Sequence, residues 1–276
     1  MPLTLQDARQ SEITPYLKDW IACHIEAAPP GHVPLLFVSG PQGAGKSTAL
    51  AEAISGLSGP VFGASLDDFY LTRAERAAMA RDICPLFSVR GPPGTHDLAL
   101  LASCIIALRA AGPDMVTRTP VFDKLADDRA PEADWRIFTG QPAAIVIEGW
   151  LAGAAPDAEA TKSAPINEVE AEDRHGAWRW YQEAQLATLY AEIWRRADGF
   201  FHIVPPDFSC VLNWRLEQEA ALWQARGEAM PEARAQWTAR FVQHYERITR
   251  RMIAGRRYPG TELHIDAERQ VTRTSG

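Results

Sequence analysis

Leu35-Leu36-Phe37-Val38-Ser39-Gly40-Pro41-Gln42-Gly43-Ala44-Gly45-Lys46-Ser47-Thr48 is the stretch on which the fold turns. An apolar run too short for a helix leads straight into G-x-x-x-x-G-K-[ST], matched at every fixed position. Glycines at those positions let backbone N–H groups curl around a phosphate, and the helix that follows directs its positive end inward. The reading is nucleoside triphosphate binding by Gly40, Gln42, Gly43, Ala44, Gly45, Lys46, Ser47 and Thr48. Lys46 reaches the β/γ-phosphates and Ser47 ligates magnesium. An ordinary glycine-rich turn between strand and helix is the alternative, disfavoured by four fixed residues in that setting.

Outward from this loop, strands and helices alternate, as a largely parallel sheet covered on both faces requires. Residues 3–28 read as a helical extension ended by Pro29-Pro30-Gly31. Helix is expected over 46–55, strand over 61–66, and helix over 97–111, with Leu98, Leu101, Ile105 and Leu108 on one face and Asp97 as its cap. Strand is expected over 116–122 and again over 143–147, the latter delivering Glu148, while 152–165 reads as an exposed loop. In the helix over 178–196, Leu186, Leu189, Tyr190, Ile193 and Trp194 make an apolar stripe. A strand over 199–204, helices over about 208–226 and 232–254, and a closing strand at 263–266 complete the pattern.

Composition limits the partner. The chain has 276 residues, 46% of them hydrophobic, enough for one substantial core. Lys and Arg total 28 against 35 Asp and Glu, a net charge of -7, so no overall positive field gathers nucleic acid or an anionic membrane. A small-molecule partner is favoured. Cys23, Cys84, Cys104 and Cys210 form no C-x-x-C pair and read as reduced core thiols. With no apolar stretch near ~18 residues and no signal-like h-region, a cytoplasmic protein is expected.

In open α/β sheets the ligand crevice lies at the carboxyl ends of the strands. Asp67, after the second strand, fits a base that accepts the proton of an attacking hydroxyl; a helix-cap or turn carboxylate is the alternative, and the strand-end position beside the phosphate loop favours the base. Glu148 fits the acidic residue that holds magnesium beside a triphosphate, although an arginine or a backbone N–H cluster would also partner it. In Arg90-Gly91-Pro92-Pro93-Gly94-Thr95-His96-Asp97, the side chains of Arg90, Thr95, His96 and Asp97 suit a small polyhydroxy acid. Thr95 or Asp97 could instead cap the next helix, with His96 solvated. Asp123 and Lys124, with Asp127, Asp128 and Arg129, form either a second substrate cluster or a solvated charged loop. Arg215 is placed off a stripe of Leu212, Leu216, Ala220 and Trp223, as a lid arginine over the phosphates or as the i,i+4 partner of Glu219.

GPQGAGKST, SLDDFYLT, RGPPGTHDL, PVFDKLADDR, VIEGW, INEVE and WRLEQE, in that order, resemble the D-glycerate 3-kinase family of P-loop kinases, relatives of uridine kinase, phosphoribulokinase and pantothenate kinase. The resemblance runs from about Leu35 to Asp266. It implies a three-layer α/β/α P-loop NTPase fold with a mostly parallel five-stranded core sheet and a helical lid. The organisation it suggests is an extension over 1–33 and a kinase domain over 34–276. The implied reaction is phosphorylation of D-glycerate to 3-phosphoglycerate with ATP and Mg2+. By position, Asp67 matches the base, Ser47 and Glu148 the magnesium side, and Arg215 the lid, with Lys46 on the moving phosphoryl group. Asp68, Tyr70, His96, Asp97, Asp123 and Lys124 match further motif positions, taken as acceptor contacts with Arg90, Thr95 and Arg129. Pro92-Pro93 and a shortened stretch around Ala126-Asp127-Asp128-Arg129 depart from the plant and fungal pattern, both on the acceptor side. A nucleoside, pantothenate or a sugar is the alternative acceptor. A nucleotide-hydrolysing switch is disfavoured, because Asn167 and Asn213 lie in no N-K-x-D motif.

Overall fold

The computed structural model describes residues 11–275. One six-stranded sheet has the order Val271–Ser275, Thr261–Ile265, Gly199–Val204, Leu35–Ser39, Ala144–Gly149, Val61–Ser65. Five of these strands run parallel, and Val271–Ser275 is added antiparallel at one edge. Leu35–Ser39 and Ala144–Gly149 are interior strands, paired on both sides, and are buried throughout. That is why both read as unbroken apolar runs rather than alternating ones.

Alternate side chains of the central strands feed two cores. On one face Leu36, Val38 and Val146 meet Leu17 and Ile21 of the helix Ile13–Ala27 and Leu50 of the helix Lys46–Ser55. On the other, Phe37, Ile145 and Ile147 meet Leu101 of Leu98–Ala110, the helical run 177–194, and Ile248 of Glu246–Ile253. The outcome is three layers, helices on a sheet on helices. Among the described residues no helix is long and apolar enough to cross a membrane.

Several elements differ from expectation for local reasons. The helical extension begins at Ile13, and residues 3–10 of that expectation lie outside the described residues. The strand expected over 116–122 stops at Thr119, because Pro120 has no N–H to donate. Val116–Thr119 pairs instead with Arg136–Thr139 in a ribbon outside the core sheet, and Phe122–Asp123 pairs with Asp128–Arg129. Within 177–194 the residues Leu186–Tyr190 form a π turn, which shifts the apolar stripe and leaves Leu189 47% exposed. The helix over 232–254 breaks into Glu232–Gln243 and Glu246–Ile253. In Ser209–Gln224 the buried positions are Cys210, Val211, Trp214 and Glu219 rather than the expected stripe, and Ala220 faces solvent. Cys23 is exposed, whereas Cys84, Cys104 and Cys210 are buried, and all four are free.

The parallel register positions the site. Glu148 lies opposite Val38 on one side and Ser65 on the other, so the phosphate loop, the Glu148 carboxylate and the turn carrying Asp67 leave the sheet side by side.

Candidate active site

At the phosphate loop, Gly43 and Gly45 sit at φ +81° and +88°, and Gly45 caps the helix Lys46–Ser55. Left-handed backbone is what glycine supplies at no steric cost. A Cβ on Gly43 would lie 2.5 Å from Cβ of Trp214, so the loop is also pressed against the helix Ser209–Gln224. Arg269 fastens it from the other side: Nε donates to the Gly43 carbonyl at 2.8 Å, Nη2 meets Glu217 at 2.8 Å, and the guanidinium lies over the Trp214 ring. The first N–H groups of the helix are thereby presented to an incoming phosphate.

An open cleft lies beside this loop. Gln42, Gly43, Lys46, Ser47, Asp67, Tyr70, Arg90, Lys124, Glu148 and Arg215 line it, together with Trp150, Gln218, Phe241 and Tyr245. Lys46 is buried and donates to the Pro41 carbonyl at 2.9 Å. Burial holds its amine below the ordinary value, against the opposing pull of Glu148 and Asp67. The Ser47 hydroxyl donates to Oε1 of Glu148 at 2.7 Å. These are hard oxygens of the kind magnesium prefers, and a cation held by one or two side chains and completed by phosphate and water suits them.

Asp67 accepts from the Tyr70 hydroxyl at 2.7 Å on Oδ1 and from Lys124 Nζ at 2.9 Å on Oδ2. Burial alone would raise this carboxyl, but Lys124 and Tyr70 together outweigh it and bring it to about 2. Lys124 is raised in return, mainly by Asp67. Arg215 adopts the pairing that stood as its alternative: Nη2 meets Glu219 and Nη1 meets Gln218 at 3.1 Å. It nevertheless lines the cleft, because Glu219 is itself fixed by Arg234 at 2.8 Å.

Other expected acceptor contacts are not brought to the cleft. Asp68 pairs with Arg136 at 2.7 Å and caps the Ser65 N–H, and burial raises its carboxyl. The Thr95 hydroxyl closes its own loop, accepting from Gly91 N and donating to the Pro92 carbonyl. Asp97 caps Leu98–Ala110 through Leu100 N and pairs with Arg129, which also holds the Tyr70 carbonyl. Asp123 accepts from Leu125 N and Ala126 N and so shapes the turn that carries Lys124. His96 lies behind Tyr70, with ring centroids 4.6 Å apart, and its Nδ1 is 2.6 Å from the Tyr190 hydroxyl. Burial lowers His96 to about 4.

Trp150 and Tyr245 were not read from the sequence as site residues. For Trp150 a signal existed, since it stands two residues after Glu148 at a buried strand end. Tyr245 carried none, because it falls where an apparently continuous helix breaks.

A phosphate loop, a serine–glutamate oxygen pair and an ionised carboxylate across one cleft define a P-loop phosphotransferase. No family model matches the sequence. The kinase mug58 of Schizosaccharomyces pombe is 32% identical over 227 residues, spanning 79% of this chain and 80% of mug58. TDA10 of Saccharomyces cerevisiae, described as a probable ATP-dependent kinase, is 27% identical over 221 residues, 71% of each chain. The chain belongs to this family of ATP-dependent P-loop kinases. Its fold matches that of D-glycerate 3-kinase from Cryptococcus neoformans with a TM-score of 0.76, at 23% identity over 96% of this chain and 97% of that one.

Proposed function

We propose that this kinase transfers the γ-phosphoryl group of ATP to a small hydroxy acid, D-glycerate, giving 3-phosphoglycerate. The observation that carries the reading is Asp67, ionised between Lys124 and Tyr70 on the same cleft as Lys46, Ser47 and Glu148. The cleft wall adds Arg90 and Arg215, so Lys46, Arg90, Lys124 and Arg215 stand against only Asp67 and Glu148 in a chain of net charge -7. Such a local excess of cations favours anionic partners, a triphosphate and a carboxylate-bearing acceptor. The shared fold with a D-glycerate 3-kinase supports the choice among acids.

Catalysis of this kind is mainly positioning and charge stabilisation. Lys46 and Arg215 are the cations on the phosphate side, while Ser47 and Glu148 would hold magnesium, which neutralises phosphate charge when bound. Asp67 orients the acceptor hydroxyl and takes its proton as the new P–O bond forms. A carboxylate of such low basicity accepts that proton late, in keeping with a loose transition state. Arg90 and Lys124 are the cations available to the acceptor's carboxylate. The test is a ranking of kcat/KM across D-glycerate, L-glycerate, uridine, pantothenate and ribulose 5-phosphate. D-glycerate is expected to lead, and a neutral acceptor in first place contradicts the reading.

A further inference from the structure

Arg90 enters the cleft at the start of a loop whose shape is imposed from outside. Its Nη1 pairs with Asp127, which is anchored in turn by the fully buried Arg76 at 3.0 Å. The guanidinium rests over the Phe122 ring at 5.5 Å. Nε and Nη2 have no hydrogen-bond partner among the described residues, and the two make the adjacent pair of donors that matches a carboxylate. Where those donors point depends on the backbone of Arg90, and that backbone is held by Tyr245. The Tyr245 hydroxyl donates to the Arg90 carbonyl at 2.7 Å. Its ring fills the space over Gly91, at φ +112°, where any Cβ would collide with it. The same ring stands edge-on to Trp150 at 4.9 Å and against Phe241 at 5.1 Å, so it also touches the strand end that presents Glu148. Burial, with Asp67 next in weight, pushes the phenol well above its usual range and keeps it a donor.

We infer that Tyr245 is the positioning residue for acceptor recognition: through the Arg90 carbonyl and Gly91 it sets the guanidinium that reads the acceptor's carboxylate. The inference rests on the proposed hydroxy-acid reading and adds to it the residue that decides acceptor affinity. Tyr245 also lines the cleft beside Gln42 of the phosphate loop and is acted on by the Asp67 charge, but its hydroxyl donates to the Arg90 carbonyl, so the larger effect of losing that hydroxyl falls on acceptor binding.

The test is a double-mutant cycle of Tyr245→Phe and Arg90→Ala, read as KM for D-glycerate, KM for ATP and kcat. Tyr245→Phe retains the ring and removes one hydrogen bond, leaving the Arg90 carbonyl unsatisfied. The acceptor KM should rise about tenfold, and by a clearly larger factor than the ATP KM. Arg90→Ala should raise the acceptor KM further, and the effects should not add, because both act through one guanidinium. If Arg90→Ala raises the acceptor KM while Tyr245→Phe leaves it unchanged, or if the effects add fully, the positioning role is overturned and the hydroxy-acid reading stands. If Arg90→Ala leaves the acceptor KM unchanged, or wild-type protein does not turn over D-glycerate, the acceptor reading fails and the inference with it. Should Tyr245→Phe fold poorly, Phe241→Leu loosens the same ring from its other side while keeping the hydroxyl, and it too should raise acceptor KM more than ATP KM. An equal rise in ATP KM would assign the contact to general packing.

Discussion

In the proposed mechanism Asp67 is the residue on which the chemistry depends, and its surroundings set opposing forces against each other. Burial favours the neutral acid, whereas Lys124 and the Tyr70 hydroxyl favour the carboxylate and prevail, leaving a value of about 2. The group is therefore largely ionised at every pH above about 2 and gains its proton as pH falls through about 2. Asp67→Asn should lower kcat by roughly 10²- to 10⁴-fold with the fold intact; steady-state kinetics beside a circular dichroism spectrum checks both, and near-normal turnover would remove Asp67 from the mechanism. Lys124→Met takes away the largest force opposing burial. The acid limb of kcat/KM should then move to higher pH, which a pH–rate profile reads directly. An unmoved limb would mean that Lys124 does not control Asp67.

At the scale of elements, the phosphate loop is held as much by its neighbours as by its own glycines. Gly43→Ala puts a side chain at φ +81° and 2.5 Å from Trp214 Cβ, against the Trp214 backbone at 3.2 Å. A loss of ATP affinity of at least tenfold is expected, measured by calorimetric titration, with a drop in stability of about 1–3 kcal/mol. Unchanged ATP affinity would contradict the clamp. This loop and the strand ending at Glu148 were legible in the sequence because local rules determine them: glycine spacing, and an unbroken apolar run. The helix Arg73–Asp82 was also written locally, in the Thr72–Glu75 capping box, but went unread. Arg269 and Tyr245 were not legible, because each acts on a loop more than 150 residues away, Gly43 and Arg90 respectively. Thr95 and Asp97 show the reverse limit. Their residue types suit a substrate equally well, and only the folded loop reveals hydroxyl and carboxylate already engaged with backbone.

For the molecule as a whole, three buried imidazoles, His96, His202 and His244, tie stability to pH, each lowered chiefly by burial. His96 and His202 are both lowered by burial from 6.5 to about 4, His202 lying between the Ser39 hydroxyl and the Tyr258 carbonyl. Between pH 4 and 6.5 the unfolded chain binds protons there that the folded chain does not, so their contribution is complete above 6.5 and is lost as pH falls toward 4. The thermal midpoint should decline over that interval, and both rings should remain neutral by NMR at about pH 5.5; a ring titrating near its ordinary value contradicts the burial argument. The fold brings these rings, the two cores and the strand ends together around one cleft, which in the proposed function offers cations to a triphosphate and an ionised carboxylate to a hydroxyl. Incubation with Mg-ATP, with and without D-glycerate, and NMR identification of the product tests that claim most directly. The account predicts ADP formation that depends on D-glycerate and yields 3-phosphoglycerate, and ADP with free phosphate at the same rate in both samples would contradict it.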